Sequence, residues 1–260
     1  MNPGTKTEPL TNRLLSSLSS AEYERLLPHL HRVSLRLGDV ISDATDRLSV
    51  AYFPTTAIVS LVCGMQDGAT AEIALIGNDG VLGTSLFLGG GRTTNSAIVG
   101  LAGEAYRLDA QVLRDEFVRY AAFQRILLRY TGTLMAQISL TAACNCSHTL
   151  EKRFCRWLLL ARDRATSDEL AMTQEFIARL LGGRRETVTV AAGRLQDAGL
   201  IRYSRGRITI VDRIGLEKAV CECYWALTAE CNRTFVQDGV ERRQPAFEVV
   251  SRSHTSRAAG

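Results

Sequence analysis

Two glycines, and the polar run behind them, constrain this chain more than any other feature. Gly182-Gly183 breaks an apolar stripe of Phe176, Ile177, Leu180 and Leu181 that recurs at helical spacing. Behind the break a second helical pattern begins, with Val188, Ala191 and Leu195 on one face. Thr173 is a good N-cap for the first helix, and Glu175 stands in its first turn, where a carboxylate suits the positive end of the helix dipole. After Gly199, the runs LIRY and RITIV alternate like the strands of a hairpin, with Gly206 supplying the turn. Met172–Val211 therefore reads as helix, turn, helix and tight hairpin, the build of a winged helix-turn-helix.

The second helix opens with Arg184, Arg185, Glu186, Thr187 and, one turn on, Thr189. Arg185, Glu186 and Thr189 lie opposite the apolar face. A guanidinium can bond both O6 and N7 of guanine, and a carboxylate can accept from the cytosine amino group, so Arg185 and Glu186 are suited to reading base edges. Thr173, Gln174, Arg184 and Thr187 are placed to hold phosphates, which fixes register without reading sequence, and Arg205 and Arg207 put charge on the wing. A module used only for protein contacts is the alternative. Charge argues against it: residues 173–211 hold seven Arg and three acids, whereas residues 1–150 hold twelve basic and thirteen acidic groups. The basic excess sits on the module, as an electrostatic footprint for DNA requires.

A chain of 260 residues has room for two compact domains, and 46% hydrophobic with 22% charged residues is an ordinary globular balance. No apolar run reaches the length of a membrane span. The N-terminal MNPGTKTEPLTNRLL lacks the apolar core of a signal peptide, so a cytoplasmic protein is expected, with its seven Cys as thiols rather than disulfides.

Before the module the texture changes three times. Residues 10–30 space Leu14, Leu15, Leu18, Tyr23, Leu26, Leu27 and Leu30 like one or two short helices. Residues 33–108 hold short β-type runs separated by Asp/Gly turns, the pattern of an antiparallel roll or barrel. A short helix at 109–117 then precedes a long periodic segment from Arg119 to about Cys146. One row on it is Leu128, Thr131, Met135, Ile138, Ala142 and Asn145. A second is Phe123, Leu127, Tyr130, Leu134, Gln137 and Thr141. Two rows make a face broad enough for the roll and for a partner helix. Ser147 is expected to cap a helix over Leu150–Arg162, Leu216–Leu227 reads as helical, and residues 232–260 read as a disordered tail.

The run Arg185-Glu186-Thr187-Val188 resembles the R-E-T-V type motif that opens the recognition helix of the Crp/Fnr superfamily of bacterial transcription regulators. The likeness extends over roughly residues 10–225. It implies an α+β chain with three parts. Residues 10–110 form a β-roll sensor like that of cyclic-nucleotide-binding proteins, with YFP at 52–54 and GNDGVLG at 77–83 matching its texture. Residues 111–148 form a dimerisation helix, and 149–220 the winged helix-turn-helix. The implied protein is a homodimer on near-palindromic double-stranded DNA, in contact with RNA polymerase, with no membrane partner and no assigned effector. Two departures bear on readout. Val190 stands where familiar members carry a further Arg, so at this base-reading position only a thymine methyl can be touched, and Arg184 replaces a small hydroxyl residue.

The same alignment addresses the signal. Cyclic-AMP-responsive members hold the ribose with a glutamate and the phosphate with an Arg-Ser-Ala triplet; here Val81 and Asn95 stand at the glutamate and arginine positions. Ser96 and the nearby Arg92 remain as a displaced effector pocket beside the run Gly89-Gly90-Gly91. The iron–sulfur branch clusters cysteines near the N-terminus, and this chain has none before Cys63. No cofactor and no metal ligands are assigned. A nucleotide-responsive sensor, or one that uses Cys144/Cys146 or Cys221/Cys223/Cys231 for redox or metal chemistry, is the alternative. Catalysis is not expected: the His residues at 29, 31, 148 and 254 form no HExxH pair, and neither a P-loop nor a GxSxG elbow occurs.

Overall fold

The computed structural model describes residues 9–90, 92–165 and 167–235. Two short helices, α1 (Arg13–Ser16) and α2 (Ser20–Leu26), lead into seven strands. These are β1 (His31–Leu35), β2 (Val40–Ser42), β3 (Val50–Pro54), β4 (Ile58–Gly64), β5 (Thr70–Ile76), β6 (Ser96–Leu101) and β7 (Gly103–Asp109), with a one-turn helix α3 (Ser85–Leu88) before β6. The strands form two antiparallel sheets, ordered β1-β7-β3 and β2-β6-β4-β5. Val59, Leu61, Ala74 and Ile76 from one sheet meet Ala51, Phe53 and Leu108 from the other in a shared core. The N-terminal helices are locked by their caps: Ser19 and Glu22 form a reciprocal capping box, and buried Asn12 caps α1 while donating to the Pro54 and Gly80 carbonyls at 2.8 and 2.9 Å.

The strand β4 is buried on both faces because its period of two serves two cores. Val59 and Leu61 face the interior of the roll, whereas Ile58 and Val62 join a second core with the C-terminal half of the chain. That half is reached through α4 (Ala110–Arg119) and the long helix α5 (Ala121–Ser147). The two rows of α5 part company. Phe123, Leu127, Tyr130, Leu134, Gln137 and Thr141 are all buried, while Leu128 is 46% and Met135 65% exposed, with Ala142 exposed and Thr131, Ile138 and Asn145 half-buried.

Helix α6 (Leu150–Ala165) follows directly. Ser147 ends α5 rather than capping α6; the Thr149 hydroxyl accepts from the Lys152 N–H instead, at 3.4 Å. The apolar face of α6, with Phe154, Trp157, Leu158 and Ala161, packs against β4 and β5. Each such buried large side chain contributes about 1.5–3 kcal/mol. Polar groups reinforce the contact. The Trp157 indole N–H donates to Glu72 at 3.2 Å, the Ser60 hydroxyl donates to the same carboxylate oxygen at 2.5 Å, and Arg164 donates from Nε to both oxygens of Asp79 at 2.9 and 3.0 Å. Burial pushes the Glu72 carboxyl up to about 7.

A small strand, β8 (Glu169–Ala171), precedes α7 (Gln174–Leu181), α8 (Arg185–Asp197) and the hairpin β9 (Ile201–Ser204) and β10 (Arg207–Ile210), giving a three-stranded sheet ordered β8-β10-β9. The single helix expected over Leu216–Leu227 is two helices, α9 (Arg213–Ala219) and α10 (Glu222–Thr234), separated by extended backbone at Val220 and Cys221. The break lets the chain reverse, so that α10 packs along α5 as far as a bond between the Thr133 and Thr234 hydroxyls. Helix α10 thus continues past residue 232, where a tail was expected; the remainder of that tail, 236–260, lies outside the described residues.

Candidate nucleic-acid interface

The helix-turn-helix unit is set by local rules. Thr173 caps α7 by accepting from the Phe176 N–H at 3.2 Å. Gly182, at φ 59°, closes the helix in the left-handed region that favours glycine, and the N–H groups of Gly182 and Gly183 both point at the Ala178 carbonyl. A side chain at Gly183 would meet Leu150 Cδ1 of α6 at 2.5 Å, so the end of that leucine would have to shift to admit it. Val188, Ala191, Ala192 and Leu195 then bury one face of α8. The wing turn has Arg205 at φ 50° and Gly206 at φ 75° between paired Ser204 and Arg207, the two-residue geometry with positive φ at both central positions.

Arg184, Arg185, Glu186, Thr187, Thr189 and Val190 are all exposed, and Val190 is 55% so. Among the described residues the side chains of Arg184, Arg185, Glu186 and Arg205 have neither ion pair nor hydrogen bond. Other members of the set are engaged. The Thr189 hydroxyl donates to Gln174 Oε1 at 2.9 Å, joining α7 to α8, and Arg207 pairs with Glu169 of β8. Neither contact, nor the strand β8 that carries Glu169, is visible in sequence spacing. The module is further seated on the roll by the Thr70 hydroxyl, which donates to the Arg179 carbonyl at 3.1 Å.

The four residues of the displaced effector pocket stand in different settings. Val81 is fully buried in the core of the roll. The Ser96 hydroxyl donates to Asp43 at 3.2 Å and accepts from the Ala44 N–H, Asn95 follows a turn closed by Thr93, and Arg92 is exposed at a bridge to Arg47. A groove of about 810 Å³ opens beside α4, lined by Gly89 and Gly90 of the glycine run and by Arg47, Phe87, Arg114 and Phe117. Among the described residues no helix is long and apolar enough to cross a membrane.

The architecture is thus a β-roll, a long helix with a partly exposed row, and a winged helix-turn-helix whose first arginines have no partner among the described residues. Residues 152–219 match the Crp-like helix-turn-helix domain, and the fold of the chain is similar to that of solved regulators of the Crp/Fnr type. Among solved structures, FixK2 from Bradyrhizobium japonicum is 19% identical with a TM-score of 0.63, covering 74% of this chain and 98% of that one. TTHB099, a transcriptional regulator of the CRP family from Thermus thermophilus, is 18% identical with a TM-score of 0.59 over 72% and 95%. The c-di-GMP responsive global regulator CLP from Xanthomonas campestris is 17% identical, TM-score 0.59, over 75% and 100%. No curated protein sequence matches.

Proposed function

We propose that this chain is a cytoplasmic, non-enzymatic transcription regulator that binds a near-palindromic DNA site as a homodimer. The observation that carries the reading is the first turn of α8. Arginines that are exposed, free of internal partners and held on a rigid helix have no structural task to explain them, and they suit the major groove. Arg185 and Glu186 read G and C edges, with Thr189 and Val190 beside them. Thr173, Gln174, Arg184, Thr187, Arg205 and Arg207 hold the phosphates, Gln174 and Arg207 by exchanging their present partners for DNA. The bare row of α5, through Leu128 and Met135, forms the seam between protomers, and the two recognition helices then address half-sites about one helical turn apart. The domains divide at 10–110, 111–148 and 149–220, and the regulator works with RNA polymerase under a signal other than cyclic AMP.

Selection of sites from random DNA by the purified, reduced protein, without added ligand, tests this. The expected result is enrichment of a palindrome with G·C pairs in each half. No enrichment, together with unchanged DNA mobility at low salt, would leave a regulator that works through protein contacts.

A further inference from the structure

The break between α9 and α10 gathers side chains that lie far apart in sequence. Cys144 is in the last turn of α5 and His148 is its C-cap, one turn on and therefore on the same face. Cys221 is the N-cap of α10, and Cys223 lies in the first turn of that helix. One donor atom from each of the four falls within 4.8 Å of all the others. Cys144, Cys221 and Cys223 are buried, at 0%, 2% and 6% exposure, and form a cluster of their own with Val220 packed against it. Cys146 is exposed and Cys231 lies 3.7 Å from the Arg164 guanidinium, so neither belongs to the group.

Two of the spacings match the coordination shell of a single small ion. Metal–sulfur bonds of about 2.3 Å and a metal–nitrogen bond of about 2.0 Å, arranged tetrahedrally, put two sulfurs about 3.8 Å apart and a sulfur and a nitrogen about 3.5 Å apart. Here Cys144 Sγ lies 3.6 Å from Cys221 Sγ, and Cys223 Sγ lies 3.7 Å from His148 Nδ1. The other imidazole nitrogen, Nε2, is 3.2 Å from the Glu222 carboxylate, the outer partner that fixes ring orientation and tautomer in metal sites. Three thiolates around a divalent cation carry one net negative charge. The Arg156 guanidinium, which donates to Thr141 one turn before Cys144 on α5, is 6% exposed and has an Nε with no partner among the described residues. A buried cation left partly unpaired is costly beside neutral thiols and favourable beside a negative centre.

We propose that Cys144, His148, Cys221 and Cys223 form a closed tetrahedral site for a thiophilic divalent cation of the zinc class, which ties the end of α5 to the start of α10. Four protein ligands leave no open position, so the ion is structural rather than catalytic. The pin sits where the chain leaves the long helix for α6 and closes the loop running from residue 148 to 221, which contains the whole winged module. Its place explains the helix break at Val220-Cys221, since a continuous helix would carry Cys221 and Cys223 to different faces.

The test uses the full-length chain, purified under reducing, oxygen-free conditions. Elemental analysis should find one zinc per chain. Cobalt(II) added to the metal-free protein should give the intense visible bands of tetrahedral coordination together with thiolate-to-metal charge transfer. The variants Cys223→Ser and His148→Gln should lose most of the bound metal, whereas Cys63→Ser and Cys146→Ser should keep it. The cobalt spectrum of the unaltered chain reads the ligand set even where a variant fails to fold. A reduced chain that takes up no metal, a cobalt spectrum without thiolate charge transfer, or full zinc retention by Cys221→Ser/Cys223→Ser would each overturn the proposal.

Discussion

The two halves of this molecule treat their polar side chains in opposite ways. At the start of α8, Arg184, Arg185 and Glu186 stand in water with no partner in the described residues. In the roll, buried and half-buried polar groups are engaged: Ser60 on Glu72, Asp79 on Arg164. Folding alone does not need the first set and does need the second. Idle polar groups on a helix are therefore free for an outside partner, whereas those of the roll are committed to its contact with α6.

The largest expected effect comes from an apolar surface that belongs to neither pattern, the partly exposed row of α5. Leu128→Asp with Met135→Asp places carboxylates where the partner helix is proposed to pack, and leaves the buried row untouched. Sedimentation should show a monomer. Affinity for a two-half-site operator should fall by about 10²-fold or more, because each module then binds alone. A dimer that survives the double substitution places the seam elsewhere.

The roll side of the comparison can be sharpened at Glu72. Burial holds its carboxyl up at about 7, while the unfolded chain titrates near the ordinary carboxylate value. Below that ordinary value both states are protonated and Glu72 costs nothing. As pH rises towards 7 the unfolded chain releases its proton and the native chain does not, so stability falls across this window and levels off above it. In Glu72→Gln the amide oxygen can still accept from Ser60 and Trp157. The variant should lose that pH dependence and gain up to about 3 kcal/mol at pH 8. Urea unfolding at pH 5 and pH 8 checks it; a variant less stable than the parent at pH 8 would show that the charged form is the one the site prefers.

At the reading end, Arg185→Ala should weaken specific binding by about 1–3 kcal/mol and relax one base position. Arg184→Ala should weaken all sequences alike and lower the salt slope by about one. Anisotropy titrations on the selected site and its single-base variants, at several salt concentrations, separate the two. Equal losses on every sequence for Arg185→Ala would make it a phosphate contact.

How much of this the sequence discloses follows from how local the cause is. The α7–turn–α8–hairpin unit is legible because Thr173, Gly182 and Gly206 each act within a turn of their own position. The two rows of α5 are legible as periodicity, but which row is buried depends on the roll and α10 packing against it. Strand β8 is three residues long and exists only through its pairing with β10, so no alternation announces it. The Cys144–Cys221 approach joins positions 77 apart, and Glu72 meets Trp157 across 85; no spacing rule spans such distances. His148 shows the same thing most sharply, since in sequence it is an isolated histidine at a helix end.

The smallest expected effect is a null one, and it bears on the roll directly. A cyclic nucleotide seated as in the responsive regulators would need a ribose acceptor at Val81, whose side chain is apolar and has no exposure to solvent. It would also bring its phosphate to Ser96, whose hydroxyl is already bonded to the Asp43 carboxylate. Two anions at that spacing repel, and Asn95 carries no charge to offset them. A ligand bound at a hundred times its dissociation constant raises stability by about 2.7 kcal/mol. Cyclic AMP at millimolar concentration should therefore leave the melting temperature and the operator affinity unchanged. A clear rise in either would mean that the nucleotide binds by residues other than these four. The contrast between an idle reading helix and an engaged roll would then hold only for the protein without its ligand.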